Sequence, residues 1–131
     1  MRSMNAHIAF PGNAREALTF YQAVFGGEIH FHTVGDRQHD GLPEDAIFHA
    51  ELHGDGFSMM AADAPGNADS LVQSPRISLH VSCISKAELE QYLSCLSEVG
   101  SVHCGVGPAF GGLFAMVTDR FGVSWYLTSP D

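Results

Sequence analysis

HIAFPGNAREALTFYQAVFGG, residues 7–27, decides the fold. Its opening residues alternate apolar and polar within a short strand near 5–10, and Pro11-Gly12 breaks that strand. Asn13 then stands where a helix N-cap is expected, with Glu16 three positions on in the spacing of a capping box. Ala14, Ala17, Leu18, Tyr21, Val24 and Phe25 follow at helical intervals and make one face apolar, until Gly26-Gly27 ends the helix. The same phrase returns later in the chain. Arg76-Ile77-Ser78-Leu79 repeats the strand, Ser85-Lys86-Ala87-Glu88 repeats the cap, and Leu89, Tyr92, Leu93 and Leu96 repeat the stripe before Gly100. The offsets are 69 from His7 to Arg76, 72 from Asn13 to Ser85 and 66 from Gly56 to Gly122. A period of that size is too long for a solenoid and fits a duplicated half-domain.

Between the two copies the pattern is strand-like. Ile29, Phe31 and Thr33 alternate with Glu28, His30 and His32. Residues 35–45 read as a polar loop containing Pro43, and 46–53 form a third strand. On that strand Phe48, Ala50 and Leu52 share one face, and Ile47, His49, Glu51 and His53 the other. Gly54-Asp55-Gly56 is a hairpin turn leading into a strand at 57–62. The second half repeats this order with strands at 76–81, 101–106, 112–118 and 123–128. The expected fold is therefore α+β, a single domain over 1–131 built from two βαβββ modules, 1–66 and 72–131. One helix per module covers one sheet face, and the other faces are free to curve into a cup.

Composition narrows the function. A chain of 131 residues, 45% of them hydrophobic, can bury a single core. The formal net charge of −9, with one lysine and five arginines, argues against nucleic acid or an anionic membrane as partner, since either requires a basic face. Cys83, Cys95 and Cys104 are odd in number and lack CxxC spacing, and no secretory signal opens the sequence. They read as reduced thiols in a cytoplasmic protein. No apolar run approaches a membrane span. No Ser-His-Asp order, phosphate loop or dinucleotide fingerprint is present.

Alternation also sorts residues between the helix side and the open side of each sheet. Ile8, Phe10, Met59, Ile77, Leu79, Val81 and Trp125 are expected under the helices. His7, Ala9, Ser58, Met60, Arg76, Ser78, His80, Ser124 and Tyr126 are expected on the open side. A slip of one residue would reverse each assignment.

The phrases Phe10-Pro11-Gly12-Asn13-Ala14, Phe20-Tyr21, Phe25-Gly26-Gly27 and His49-Ala50-Glu51-Leu52 resemble the PhnB-like branch of the vicinal oxygen chelate superfamily. The most specific phrase is Val117-Thr118-Asp119-Arg120-Phe121-Gly122-Val123-Ser124-Trp125. The superfamily includes glyoxalase I, extradiol dioxygenases and the fosfomycin and bleomycin resistance proteins. The resemblance implies paired βαβββ modules (the glyoxalase/bleomycin resistance/dioxygenase fold), a cup-shaped mixed sheet and a homodimer. Some relatives carry the label of demethylubiquinone methyltransferase, but no methyl-donor site is legible here.

The resemblance also implies where a metal would lie. Members with metal chemistry draw one His or Glu from the first and last strand of each module, and these positions fall on His7, Met60, Arg76 and Tyr126. Only His7 is a good ligand, and one ligand of four cannot hold a catalytic divalent ion. The expectation is therefore a small-molecule-binding protein without a metal at the usual positions. Its ligand-binding candidates are His7, Glu51, Met60, Arg76, His80 and Tyr126. Arg76 supplies a permanent cation for an anionic ligand unless Glu51 pairs with it. The alternative is a metal-dependent lyase, transferase or dioxygenase using a shifted set drawn from His7, His49, Glu51 and His80.

Overall fold

The computed structural model describes residues 1–33, 45–64, 77–109 and 111–131. Arg76 and most of the polar loop 35–45 lie outside them. The chain divides into two compact units, Met1–Leu71 and Val72–Asp131. The element order is β1 Ala6–Phe10, α1 Ala14–Phe25, β2 Glu28–Thr33, β3 Ile47–Gly54 and β4 Phe57–Asp63. It continues with β5 Leu79–Ser82, α2 Lys86–Leu96, β6 Ser101–Ala109, β7 Gly112–Thr118 and β8 Ser124–Ser129. Each unit is thus βαβββ.

Each unit holds a four-stranded mixed sheet, ordered β1-β4-β3-β2 in the first and β5-β8-β7-β6 in the second. The opening strand pairs in parallel with the closing one, and the remaining pairs are antiparallel. A parallel neighbour needs a crossover, and the helix supplies it. Ala14, Ala17, Leu18 and Tyr21 of α1 are buried with Phe10, Ala50, Leu52, Met59 and Ala61 of the first sheet. Leu89 and Leu96 of α2 are buried as Ala115, Val117, Trp125 and Leu127 are in the second. Removing this apolar surface from water is what drives each helix onto its sheet.

The two helices start differently. Ser85 caps α2 as its sequence suggests, its Oγ accepting from the Glu88 N–H at 3.1 Å, while Glu88 accepts from the Ile84 N–H at 3.4 Å. Asn13 makes no such bond, and its Oδ1 is buried without a partner among the described residues. The buried Asp63 takes over. Its Oδ1 accepts from the Ala14 N–H at 2.8 Å and its Oδ2 from the Ile47 N–H at 2.9 Å. A carboxylate at the positive end of a helix is favourable both as acceptor and as charge. The expected local cap is thus replaced by one from a strand 49 residues away.

Two strand assignments also change. Ile47 is buried rather than sharing a face with His49, because the β2–β3 register shifts between His32 and Thr33 and turns the start of β3 over. Ile77, expected under α2, precedes β5 and is 67% exposed.

Glycine serves a definite purpose at Gly27 and Gly112. Gly27 has φ +101°, and a Cβ there would stand 2.4 Å from the His53 carbonyl oxygen. Gly112 lies against the Ser129 carbonyl oxygen, which would be 2.3 Å from any Cβ. The Gly111-Gly112 pair is therefore backbone geometry.

Candidate functional site

The open face of each sheet is the side away from its helix, and the register fixes what stands there. In the first unit one row crosses all four strands: His7 opposite Met60, Met60 opposite Glu51, and Glu51 opposite His30. In the second unit the matching row is His80, Tyr126, Met116 and Cys104. These side chains are exposed or half-buried, whereas their immediate chain neighbours Leu52, Met59, Ala61, Ala115, Trp125 and Leu127 are buried. Alternation along the strands produces this separation.

His7 stands opposite Met60 in the first unit, and His80 stands opposite Tyr126 in the second. The offset between first strands is 73 by this register (80 − 7), close to the 72 between caps. In this register His7, Met60, His80 and Tyr126 are the paired residues of the opening and closing strands. Two imidazoles, a thioether and a phenol are a poor donor set for a hard divalent ion, which favours carboxylate oxygen with imidazole. His80 also spends its Nε2 on the Thr128 hydroxyl at 2.8 Å.

Of the shifted set, His49 and Glu51 lie together on β3. His49 and His53 both turn to Glu51, with Nε2 of His49 3.4 Å from Oε1 and Nε2 of His53 3.3 Å from Oε2. Hydrogen bonds from His53 and then His49 hold the Glu51 carboxyl below its ordinary range. Among the described residues no group of three or more His, Cys, Asp or Glu side chains is arranged to hold a metal ion.

Around this clamp the first sheet gathers more histidine than the sequence suggested. The His32 ring stacks on His49 at a centroid distance of 6.1 Å, and His30 lies 6.5 Å from His53. The β2–β3 register makes them neighbours of Glu51 and His49. Ser58, opposite His53, adds a hydrogen bond of 3.0 Å between its Oγ and His53 Nδ1.

The second sheet presents a more aromatic face. Tyr126 lies between His80, at 5.5 Å, and Phe114, at 6.0 Å. His103 bonds the Thr118 hydroxyl at 2.7 Å. Trp125, expected in the core, is buried there and donates its indole N–H to Asp119 at 2.8 Å.

No helix among the described residues is long and apolar enough to cross a membrane. Among curated proteins no sequence matches. The profile of the family described as 3-demethylubiquinone-9 3-methyltransferase matches residues 2–128. Among solved structures, protein PA1353 from Pseudomonas aeruginosa is 32% identical, with a TM-score of 0.86 over 99% of this chain and 98% of that one. A putative 3-demethylubiquinone-9 3-methyltransferase, PhnB protein, from Bacillus cereus is 27% identical, with a TM-score of 0.80 over 98% and 99% of the two chains. The fosfomycin resistance protein FosX from Listeria monocytogenes shares the fold at 14% identity, with a TM-score of 0.65 over 100% and 96%. The chain belongs to the PhnB-like family described as 3-demethylubiquinone-9 3-methyltransferase, in the glyoxalase/bleomycin resistance/dioxygenase fold.

Proposed function

We propose that this protein binds a small, anionic molecule on the open faces of its sheets, without a metal at the four positions that metal-dependent relatives use. The observation that carries the reading is the paired register: His7 against Met60 in one unit and His80 against Tyr126 in the other. Each pair sets an imidazole beside a soft or aromatic side chain. An imidazole can donate to a carboxylate or phosphonate oxygen, while the thioether or ring covers the ligand's apolar part. Arg76, outside the described residues, supplies the permanent charge in this proposal. The fold has room for such chemistry in another protein, since a FosX variant has been solved with Mn(II) and a dihydroxypropylphosphonic acid.

The methyltransferase in the family's description is not part of the proposal, because no methyl-donor site is legible in the sequence. A homodimer is the proposed assembly, on the family's pattern, and its mass in solution tests it.

The binding test is a thermal-shift and calorimetric screen against small carboxylates and phosphonates. Binding is expected to weaken at least tenfold in Arg76→Ala and in His7→Ala or His80→Ala. If all three variants keep every hit unchanged, the reading is wrong. Metal analysis of protein purified without chelators tests the other half: a stoichiometric ion that His7→Ala and His80→Ala both release would overturn it.

A further inference from the structure

Three side chains on the open face of the first sheet form a hydrogen-bonded chain, and of them only Glu51 is also a ligand-binding candidate. Ser58 Oγ is 3.0 Å from His53 Nδ1, and His53 Nε2 is 3.3 Å from Glu51 Oε2. The sequence order Glu51, His53, Ser58 matches no familiar hydrolase pattern, and the tight turn at Asp55-Gly56 brings the three together. From this geometry we propose that Ser58 is an acyl-acceptor site, activated by His53 and oriented through Glu51, that reacts with activated acyl esters.

One consistent set of protons links the three residues. A carboxylate only accepts, so the proton between His53 and Glu51 belongs to Nε2 of the imidazole. The neutral ring then keeps Nδ1 unprotonated, and Ser58 O–H is the donor in the bond to it. That tautomer is the one a general base needs beside a hydroxyl nucleophile. Glu51 is itself held from the other side by His49 at 3.4 Å, so its carboxylate is fixed between two imidazoles. Its negative charge favours the imidazolium formed when His53 takes the serine proton.

The site is open to a reactant. The side chain of His53 is 48% exposed and that of Glu51 31%, and Ser58 is half-buried. His30, Glu28, Met60 and His7 complete the surroundings on the neighbouring strands.

In the reaction, Ser58 Oγ forms a bond to the acyl carbon as its proton passes to His53 Nδ1. The bond from that carbon to the leaving oxygen then breaks, and His53 returns the proton to the departing alkoxide or phenoxide. No electrons are transferred to an outside acceptor. A positioned base contributes about 10²- to 10⁴-fold, whereas a missing oxyanion donor forfeits about 10²- to 10³-fold. The proposal invokes no oxyanion donor, so the expected chemistry is slow, stoichiometric acylation rather than fast turnover.

The test is to treat the whole chain with p-nitrophenyl acetate and follow p-nitrophenol release, intact mass and fragment mass. One stable acetyl group on Ser58 is expected. Ser58→Ala should abolish it, and His53→Asn should slow it about 100-fold. Glu51 is a positioning residue: Glu51→Gln should slow the reaction, and the conservative Glu51→Asp should recover part of the rate. Circular dichroism confirms that each variant is folded. No acetyl on Ser58, acetylation confined to Lys86 or the N-terminus, or an unchanged rate in His53→Asn would each overturn the proposal. Because the site uses neither Arg76 nor His80, its failure would leave the binding reading intact.

Discussion

Trp125 hangs its indole N–H on Asp119 at 2.8 Å, inside the second unit where both are 3% exposed. The other carboxylate oxygen of Asp119 accepts from the backbone N–H groups of Phe121 and Val123 at 2.9 and 3.0 Å. One side chain thus closes the β7–β8 turn and anchors the largest core residue of its strand. Asp119→Ala would remove the carboxylate that three donors share, and a loss of about 3 kcal/mol is expected from denaturant unfolding. Asp119→Asn should recover part of this, since the amide oxygen still accepts.

Val99 follows the end of α2 with φ 59° and is 87% exposed. A β-branched residue is strained in the left-handed region, and so exposed a side chain contributes little packing in return. Val99→Gly should raise stability by roughly 0.5–1 kcal/mol, read as a higher melting temperature. An unchanged or lower value would show that packing of Val99 outweighs its backbone strain.

The three thiols should separate by reactivity. Cys83 is buried, and burial, with a smaller contribution from Glu88, pushes its thiol up to about 11. Cys95 and Cys104 are half-buried. At pH 8 an alkylating reagent should modify these two first and leave Cys83 until the chain unfolds. The raised value also means that Cys83 favours the folded state below about 9 and loses that contribution as pH rises toward about 11.

Glu51 should show the opposite dependence. Its carboxyl is lowered by the hydrogen bonds from His53 and His49, so its ionised form favours folding above the ordinary value of 4.5. That contribution falls away as pH drops through the lowered value. Denaturant midpoints of the wild type and Glu51→Gln should therefore differ most above pH 4.5 and converge in stronger acid.

The parts of the fold legible in the sequence were those with local causes. Ser85 and Glu88 sit close enough to cap α2 unaided, Gly54-Asp55-Gly56 lies between two alternating runs, and Trp125 is apolar on a strand whose neighbours alternate. What escaped were relationships set by distant partners. Asp63 displaces Asn13 as the cap of α1 from across the unit. The first strand of the second unit has no punctuation between Arg76 and Val81, so only its pairing with β8 places His80 opposite Tyr126. The histidine cluster was hidden likewise, because His30 and His32 meet His49, Glu51 and His53 only through a register whose β-bulge no residue type announces.

The parallel pairing of opening and closing strands also orders events in time. In each unit the three later strands are sequence neighbours joined antiparallel, and such contacts can form early at small entropic cost. Among the described residues β1 pairs with β4 alone and β5 with β8 alone, so the opening strand must wait for its partner to be made. These strands are short, five residues and four, and they stand at one margin of each sheet. His7 and His80 therefore ride on the last segments to arrive and the first to loosen. Occupancy of either residue by a ligand would slow amide exchange along its strand, so the protein's own breathing becomes a reporter of what it holds.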